Sequence, residues 1–230
     1  MEELENIDAS FSETIRNSDL KEVTLDFAEN FMDSFLEEGV VKDLPIIGAL
    51  VGIGKIAINF KDKLFLKKII YFLSGINHIS VEKRRKMIDE INETEKQKIK
   101  VGEKLVYILD KCDDHITAKY ISQFFSALLE NKISYQDFLK GSRIIQNIFL
   151  SDLEYFIETD ITEFEAIGSS DEFPNEDQFP YINIGICGFG YTKTYLKNDG
   201  YGEKEINGGE AQVWLTEIGR KLKDVLKKEL

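Results

Sequence analysis

Residues 101–150 read VGEKLVYILD KCDDHITAKY ISQFFSALLE NKISYQDFLK GSRIIQNIFL, and this stretch decides the fold class. Val101, Leu105, Ile108 and Cys112 recur at helical steps, so one side of a 3.6-residue helix is apolar. Asp113 or Asp114 is placed to cap a second helix carrying Ile121, Phe124, Phe125 and Leu128. Ser134 and Asp137 have capping-box spacing ahead of Phe138, Leu139, Ile145 and Phe149. Three helices joined by loops of a few residues imply an antiparallel bundle.

Working toward the N-terminus, residues 80–100 are densely charged, and Met87, Ile88 and Ile91 leave only a narrow apolar face. An exposed helix is expected there. The first 43 residues read as two amphipathic helices. In the second, Leu20, Val23, Phe27, Phe31 and Phe35 share a stripe, and Asp19 followed by Glu22 has capping-box spacing.

Residues 44–60 are the most apolar of the chain, yet they number 17 and include Lys55 and Asn59. A bilayer crossing needs about 20 apolar residues, and a central lysine opposes it by roughly 2.5–3.5 kcal/mol. Ile46, Leu50, Ile53, Ala57 and Phe60 form one helical stripe; Gly48, Gly52, Lys55 and Asn59 form another. The two glycines allow close helix packing, in a protein core or in a membrane. Residues 64–76 follow with Phe65, Ile69, Phe72 and Ile76 inward. A helical hairpin over residues 44–76 is therefore expected, either buried in a core or inserting at a membrane surface through Gly48, Gly52, Lys55, Lys61, Lys63, Lys67 and Lys68.

Charge is segregated. Of the net −13, residues 1–43 carry 13 acids and 3 bases, residues 44–150 carry 18 bases and 12 acids, and residues 151–180 carry 10 acids and no base. The basic middle can meet the acidic ends or an anionic partner. Lys83, Arg84, Arg85 and Lys86 are its densest run and its candidate anion-binding site, although Glu82, Asp89, Glu90, Glu93 and Glu95 dilute it.

Residues 161–180 hold Gly168-Ser169-Ser170, two of the three prolines and many acids, so a linker or long surface loop is expected. The organisation read from this is a helical body over 1–160, the acidic segment over 161–180, and a small α/β module over 181–230. Within that module strands are predicted over 181–190, 191–196 and 211–215, with turn chemistry at Asn198-Asp199-Gly200 and Asn207-Gly208-Gly209. Thr216 is placed to cap a last helix bearing Ile218, Leu222, Val225 and Leu226, with Lys227 and Lys228 at its negative end.

Leu215-Thr216-x-x-Gly219, directly after Val213-Trp214, resembles the closing element of winged-helix domains, in which a wing hairpin leads into such a step. The resemblance implies a wing-like end module of about 50 residues. The acidic segment before it has the wrong sign for phosphate, so the resemblance points to protein binding rather than DNA binding. The body resembles uncharacterised bacterial helical proteins of mobile or defence-related gene neighbourhoods. Leu64-Phe65-Leu66-Lys67-Lys68 with Phe72-Leu73, Gly102-Glu103-Lys104-Leu105 with Leu109-Asp110, and Ile133-Ser134 before Phe138 carry this likeness. It implies a setting, antiphage defence or a mobile element, and no activity.

Local catalytic chemistry is not visible. His78 and His115 are the only histidines, and neither stands at zinc spacing from a cysteine, although Cys112, Asp113, Asp114 and His115 are neighbours. Those aspartates read as helix caps. Gly185-x-x-Gly188-x-Gly190 lacks the Gly-Lys-Ser/Thr ending of a phosphate loop and reads as turn or bulge glycines. Cys112 and Cys187 read as buried reduced thiols. Met1-Glu2-Glu3-Leu4-Glu5 lacks the basic start of an export signal, so a cytoplasmic location is expected.

The expectation is a mainly α protein, a helical bundle with a small C-terminal α/β winged-helix-like module, and no catalytic residue, cofactor or metal. It is a non-enzymatic interaction or regulatory protein with a protein partner. A membrane-acting effector using the 44–76 hairpin is the alternative, and a nucleic-acid-binding regulator using Lys83–Lys86 or the wing is a second. Composition and spacing leave the oligomeric state open.

Overall fold

The computed structural model describes residues 2–34, 44–53, 60–94, 99–168, 174, 176–198 and 204–227. It is mainly helical with a small C-terminal sheet region, and it divides into two compact units, Met1–Gln146 and Asn147–Leu230. The boundary therefore precedes helix α9, rather than lying in an acidic linker over 161–180. Short elements of the second unit occupy part of that stretch, and Phe164 within it buries its ring in the core of that unit.

The first unit contains α1 (Glu2–Asn17), α2 (Leu25–Ser34), α3 (Pro45–Ile53), α4 (Phe60–Ser74), α5 (Val81–Asn92), α6 (Val101–Asp110), α7 (His115–Leu129) and α8 (Tyr135–Asn147). The expected starts of α7 and α8 are present with their caps. Asp114 Oδ1 accepts from the Thr117 amide at 2.7 Å. The Asp137 amide donates to Ser134 Oγ, and the Ser134 amide donates back to Asp137 Oδ2, each at 3.1 Å. The start of α2 differs from expectation. Asp19 closes a turn with the Lys21 amide, and Thr24 caps the helix by accepting from Phe27 N at 3.1 Å.

A row of buried rings ties the bundle together. Phe11 lies 5.9 Å from Phe72, Phe72 lies 5.5 Å from Phe125, and Phe125 lies 5.2 Å from Phe138. These four rings come from α1, α4, α7 and α8, so one aromatic core joins local helices to the N-terminal one. Helix α4 packs chiefly on α7 and α3 chiefly on α1, so residues 44–76 do not form a self-contained hairpin. Thr14 sets the second contact: its Oγ1 donates to Ser10 O at 2.8 Å and accepts from Ile46 N at 3.0 Å.

The second unit contains α9 (Leu150–Glu158), a 3-10 turn (Ile161–Phe164), β1 (Ala166–Gly168), α10 (Phe179–Ile184), β2 (Cys187–Tyr191), β3 (Tyr195–Asn198), β4 (Lys204–Asn207), β5 (Ala211–Leu215) and α11 (Glu217–Leu226). An antiparallel sheet has the order β1-β5-β2, and β3–β4 is a separate hairpin between β2 and β5 in the chain. The strand predicted over 181–190 begins instead as helix α10. Pro180 in its first turn fixes a helical φ, and Gly185 at φ 88° ends it in the left-handed region. Thr216 caps α11 as expected, accepting from Gly219 N at 3.1 Å.

Candidate functional site

The basic run 83–86 does not form a single charged surface. Arg84 is only 1% exposed; its guanidinium donates to Ile79 O at 3.1 Å and to Ile15 O and Ser18 O at 2.6 Å. Ile15 and Ser18 stand at the end of α1, whose last carbonyls have no partner within their own helix. Arg84 thus serves as a buried C-terminal clamp on α1, favoured by the negative end of the helix dipole. Burial holds its pKa below the ordinary arginine value, and Asp19 and Glu82 oppose that shift. Arg85 donates to Asn17 Oδ1 at 2.8 Å, Lys83 lies 4.0 Å from Glu130, and Lys86 lies 3.9 Å from Glu90. The anion-binding expectation for this run is replaced by a structural use of its central arginine.

The residues singled out over 44–76 are also dispersed. Ile46, Ile47 and Ala49 of α3 are buried, but Gly48 is exposed, and a Cβ placed on it meets nothing within 4 Å. Gly48 is therefore not a packing glycine. The close approaches lie elsewhere, at Gly102, where a Cβ would come within 2.6 Å of Ser12 Cβ, and at Gly141, within 2.1 Å of the Phe124 ring. Gly52 falls in the last turn of α3, and Lys55 lies outside the described residues. Lys61 and Lys63 are exposed on α4. Lys67 stands 5.7 Å over the Tyr71 ring, and Lys68 donates to Asp110 O at 3.3 Å and to Cys112 O, so it clamps the end of α6. Among the described residues, no helix is long and apolar enough to cross a membrane.

Cys112 and Cys187 are free and buried. Burial pushes the Cys112 thiol up to about 12 and the Cys187 thiol up to about 11. His115 packs edge-on to Tyr71 at 4.4 Å, and burial with Lys67 nearby lowers its pKa. Among the described residues, no group of three or more His, Cys, Asp or Glu could hold a metal ion. One nucleophile–base contact escaped the sequence: Ser126 Oγ lies 3.2 Å from His78 Nε2. Ser126 is 3% exposed, which shuts it away from a substrate, and nearby Glu130 is engaged by Lys132.

The second unit exposes large apolar side chains among its charged ones. Of 13 exposed large hydrophobic residues among those described, 10 belong to Asn147–Leu230. On the hairpin, Leu196 and Ile206 are directly opposed in register and are 63% and 72% exposed. On the three-stranded sheet, Ile167 pairs with Gln212, so it shares a face with Trp214. The Trp214 indole lies across Gly188 and Gly190 of β2; a Cβ at Gly188 would meet it at 2.6 Å. The glycines of Gly185-x-x-Gly188-x-Gly190 thus end a helix and seat a tryptophan. Buried beneath the sheet, Phe156, Phe164 and Tyr181 form a cluster with centroids 5.0–6.1 Å apart. Lys223 stands over Phe156 at 4.8 Å and donates to the carbonyls of Phe156 and Thr159 at the end of α9. Its role is the one Arg84 has on α1.

No protein-family model, curated protein or solved structure matches the chain.

The hairpin pair was missed because strands over 191–196 and 211–215 left 204–207 unassigned. Leu196 and Ile206 become one surface only once β3 and β4 are in register.

Proposed function

We propose that the chain is a non-enzymatic interaction protein whose second unit binds a protein partner through hairpin β3–β4. The exposed, register-opposed pair Leu196–Ile206 carries this reading. Two large aliphatic side chains held side by side in water gain free energy when a partner covers them, at about 25 cal/mol per Å² of apolar area. Tyr195 and Tyr191, 61% and 67% exposed, add aromatic surface of the kind enriched in interface cores.

Charge selects the class of partner. Residues 147–230 carry 17 acids against 8 bases, which repels phosphate backbones and anionic lipid alike. A protein with a neutral or basic rim around an apolar centre fits best. A bacterial setting in mobile-element or defence genes is consistent with this role and adds no chemistry to it.

Photo-crosslinking tests the proposal. A photoreactive amino acid replacing Ile206 in the full chain, in the cells that make it, is expected to give a discrete protein adduct. The same group replacing Lys86 on the first unit is expected to give none. Equal labelling from both positions, or no adduct from 206, would overturn it.

A further inference from the structure

Strand β2 ends the second unit's three-stranded sheet, whose order is β1-β5-β2. The Thr192 amide donates to Glu210 O at 2.9 Å, and the Thr216 amide donates to Ile186 O at 3.0 Å. Between these two bonds the register runs without a slip, from Tyr191 opposite Ala211 to Cys187 opposite Leu215. Bonded positions alternate in an antiparallel pair, so Gly188 and Gly190 turn their amides and carbonyls toward β5. Those of Cys187, Phe189 and Tyr191 point away from it. Among the described residues, no strand and no backbone hydrogen bond takes up the outward groups of Phe189 and Tyr191.

Folded chains blunt such an edge with charge, proline, a bulge or a very short strand. Strand β2 has none of these. Cys187–Tyr191 is five residues long and contains neither a charged residue nor a proline. Residues 192–194 face residues 208–210, so β3 on β4 continues the register of β2 on β5 with no bulge. The opposite edge, β1, has only three residues. Side chains at the open edge are uncovered as well: Phe189 and Tyr191, 39% and 67% exposed, stand 5.5 Å apart.

We propose that the protein partner supplies an extended segment that pairs with β2 as a fourth strand of this sheet. This mode of binding rests on the second unit being a protein-binding module, and adds how the partner is held. A row of outward N–H and C=O groups is matched by another extended backbone, and by neither lipid nor nucleic acid. Phe189 and Tyr191 are matched by apolar side chains at alternate positions of that segment. Charge separates a foreign strand from a second copy. Residues 187–198 carry Lys193 and Lys197 and no acid, in a unit with 17 acids and 8 bases. The fitting segment is acidic where it passes these lysines. A second copy would set basic arm against basic arm and acidic unit against acidic unit.

Amide exchange in the free full chain, followed by nuclear magnetic resonance, is the first test. The Phe189 and Tyr191 amides are expected to exchange freely, and those of Gly188 and Gly190 to be protected. Random short peptides displayed on phage are then selected on the same chain. Enriched peptides are expected to alternate apolar residues, to carry acid at one end, and to slow exchange at Phe189 and Tyr191 by about tenfold or more. Tyr191→Pro removes one outward donor and is expected to weaken a selected peptide by about tenfold or more. Tyr191→Ala keeps that donor and is expected to weaken it by about threefold. Protection of both amides in the free chain, failure of any peptide to enrich, or equal binding by the two variants would overturn the proposal. So would self-association of the purified chain that Tyr191→Pro abolishes, which would assign the edge to a second copy. Crosslinking from position 206 keeps the two readings apart. Adducts that persist in Tyr191→Pro leave the hairpin reading standing and remove strand addition. No adduct from any chain, with selected peptides still protecting the two amides, removes the hairpin reading alone.

Discussion

The guanidinium of Arg84 donates to the carbonyl oxygen of Ile15 at 2.6 Å, across 69 positions of sequence. Lys68 and Lys223 repeat the arrangement at the ends of α6 and α9. In each case a cation from a later or neighbouring helix satisfies carbonyls that a helix terminus leaves open. Part of the basic charge of this chain is thus spent on folding and is not offered to a partner.

Replacing Arg84 by Met is expected to destabilise the first unit strongly. Removing the side chain strips Ile15 O, Ser18 O and Ile79 O of their donor. Losses of roughly 3–5 kcal/mol accompany removal of one side of a buried charged network. Lys86→Met, at an exposed ion pair, is expected to change stability by about 0.5 kcal/mol or less. Urea unfolding followed by helical circular dichroism measures both; similar midpoints for the two variants would refute the clamp.

Alkaline pH should weaken the fold through its thiols. Folding raises the thiol pKa from 9.0 to about 12 at Cys112 and to about 11 at Cys187. The folded state therefore holds protons that the unfolded state releases, so this stabilisation is intact below pH 9 and is lost as pH rises toward 11–12. Each thiol adds up to about 1.4 kcal/mol per pH unit to the slope within its window. Tyr181, raised from 10.0 to about 12, acts in the same direction. Denaturant midpoints between pH 8 and 11 should fall less steeply for Cys112→Ala than for the wild type. Parallel slopes would contradict the assignment.

The glycines separate packing from mere presence in a helix. Gly48→Ala adds a methyl group to open space on α3 and is expected to stabilise by about 0.5–1 kcal/mol. Gly102→Ala drives a Cβ to 2.6 Å from Ser12 Cβ and 2.9 Å from Ser12 Cα, and is expected to destabilise. Thermal melts of the two variants should move in opposite directions. A loss of Tm in Gly48→Ala would restore this residue as a helix-packing position.

How much was legible follows the range of the interactions. Helices α6, α7 and α8 were readable because periodicity and the caps at Asp114 and Ser134 act within a few residues. The cap on α11 at Thr216 was readable for the same reason. The start of α2 was misread because Asp19 and Glu22 match a local pattern, yet Asp19 spends its oxygen on a turn. Arg84 was misread because its α1 acceptors lie 66 and 69 positions away, and no spacing rule reaches that far. Leu196 and Ile206 likewise meet only through the register of β3 with β4.

The central claim, that the hairpin of the second unit seats a protein partner, is tested most directly by sedimentation in extract of the cells that make the protein. The wild-type chain is expected to migrate well above its own 26.4 kDa. The double variant Leu196→Asp/Ile206→Asp, with an unchanged circular dichroism spectrum, is expected to fall to the position of the free chain. Wild type and variant sedimenting together would contradict the account.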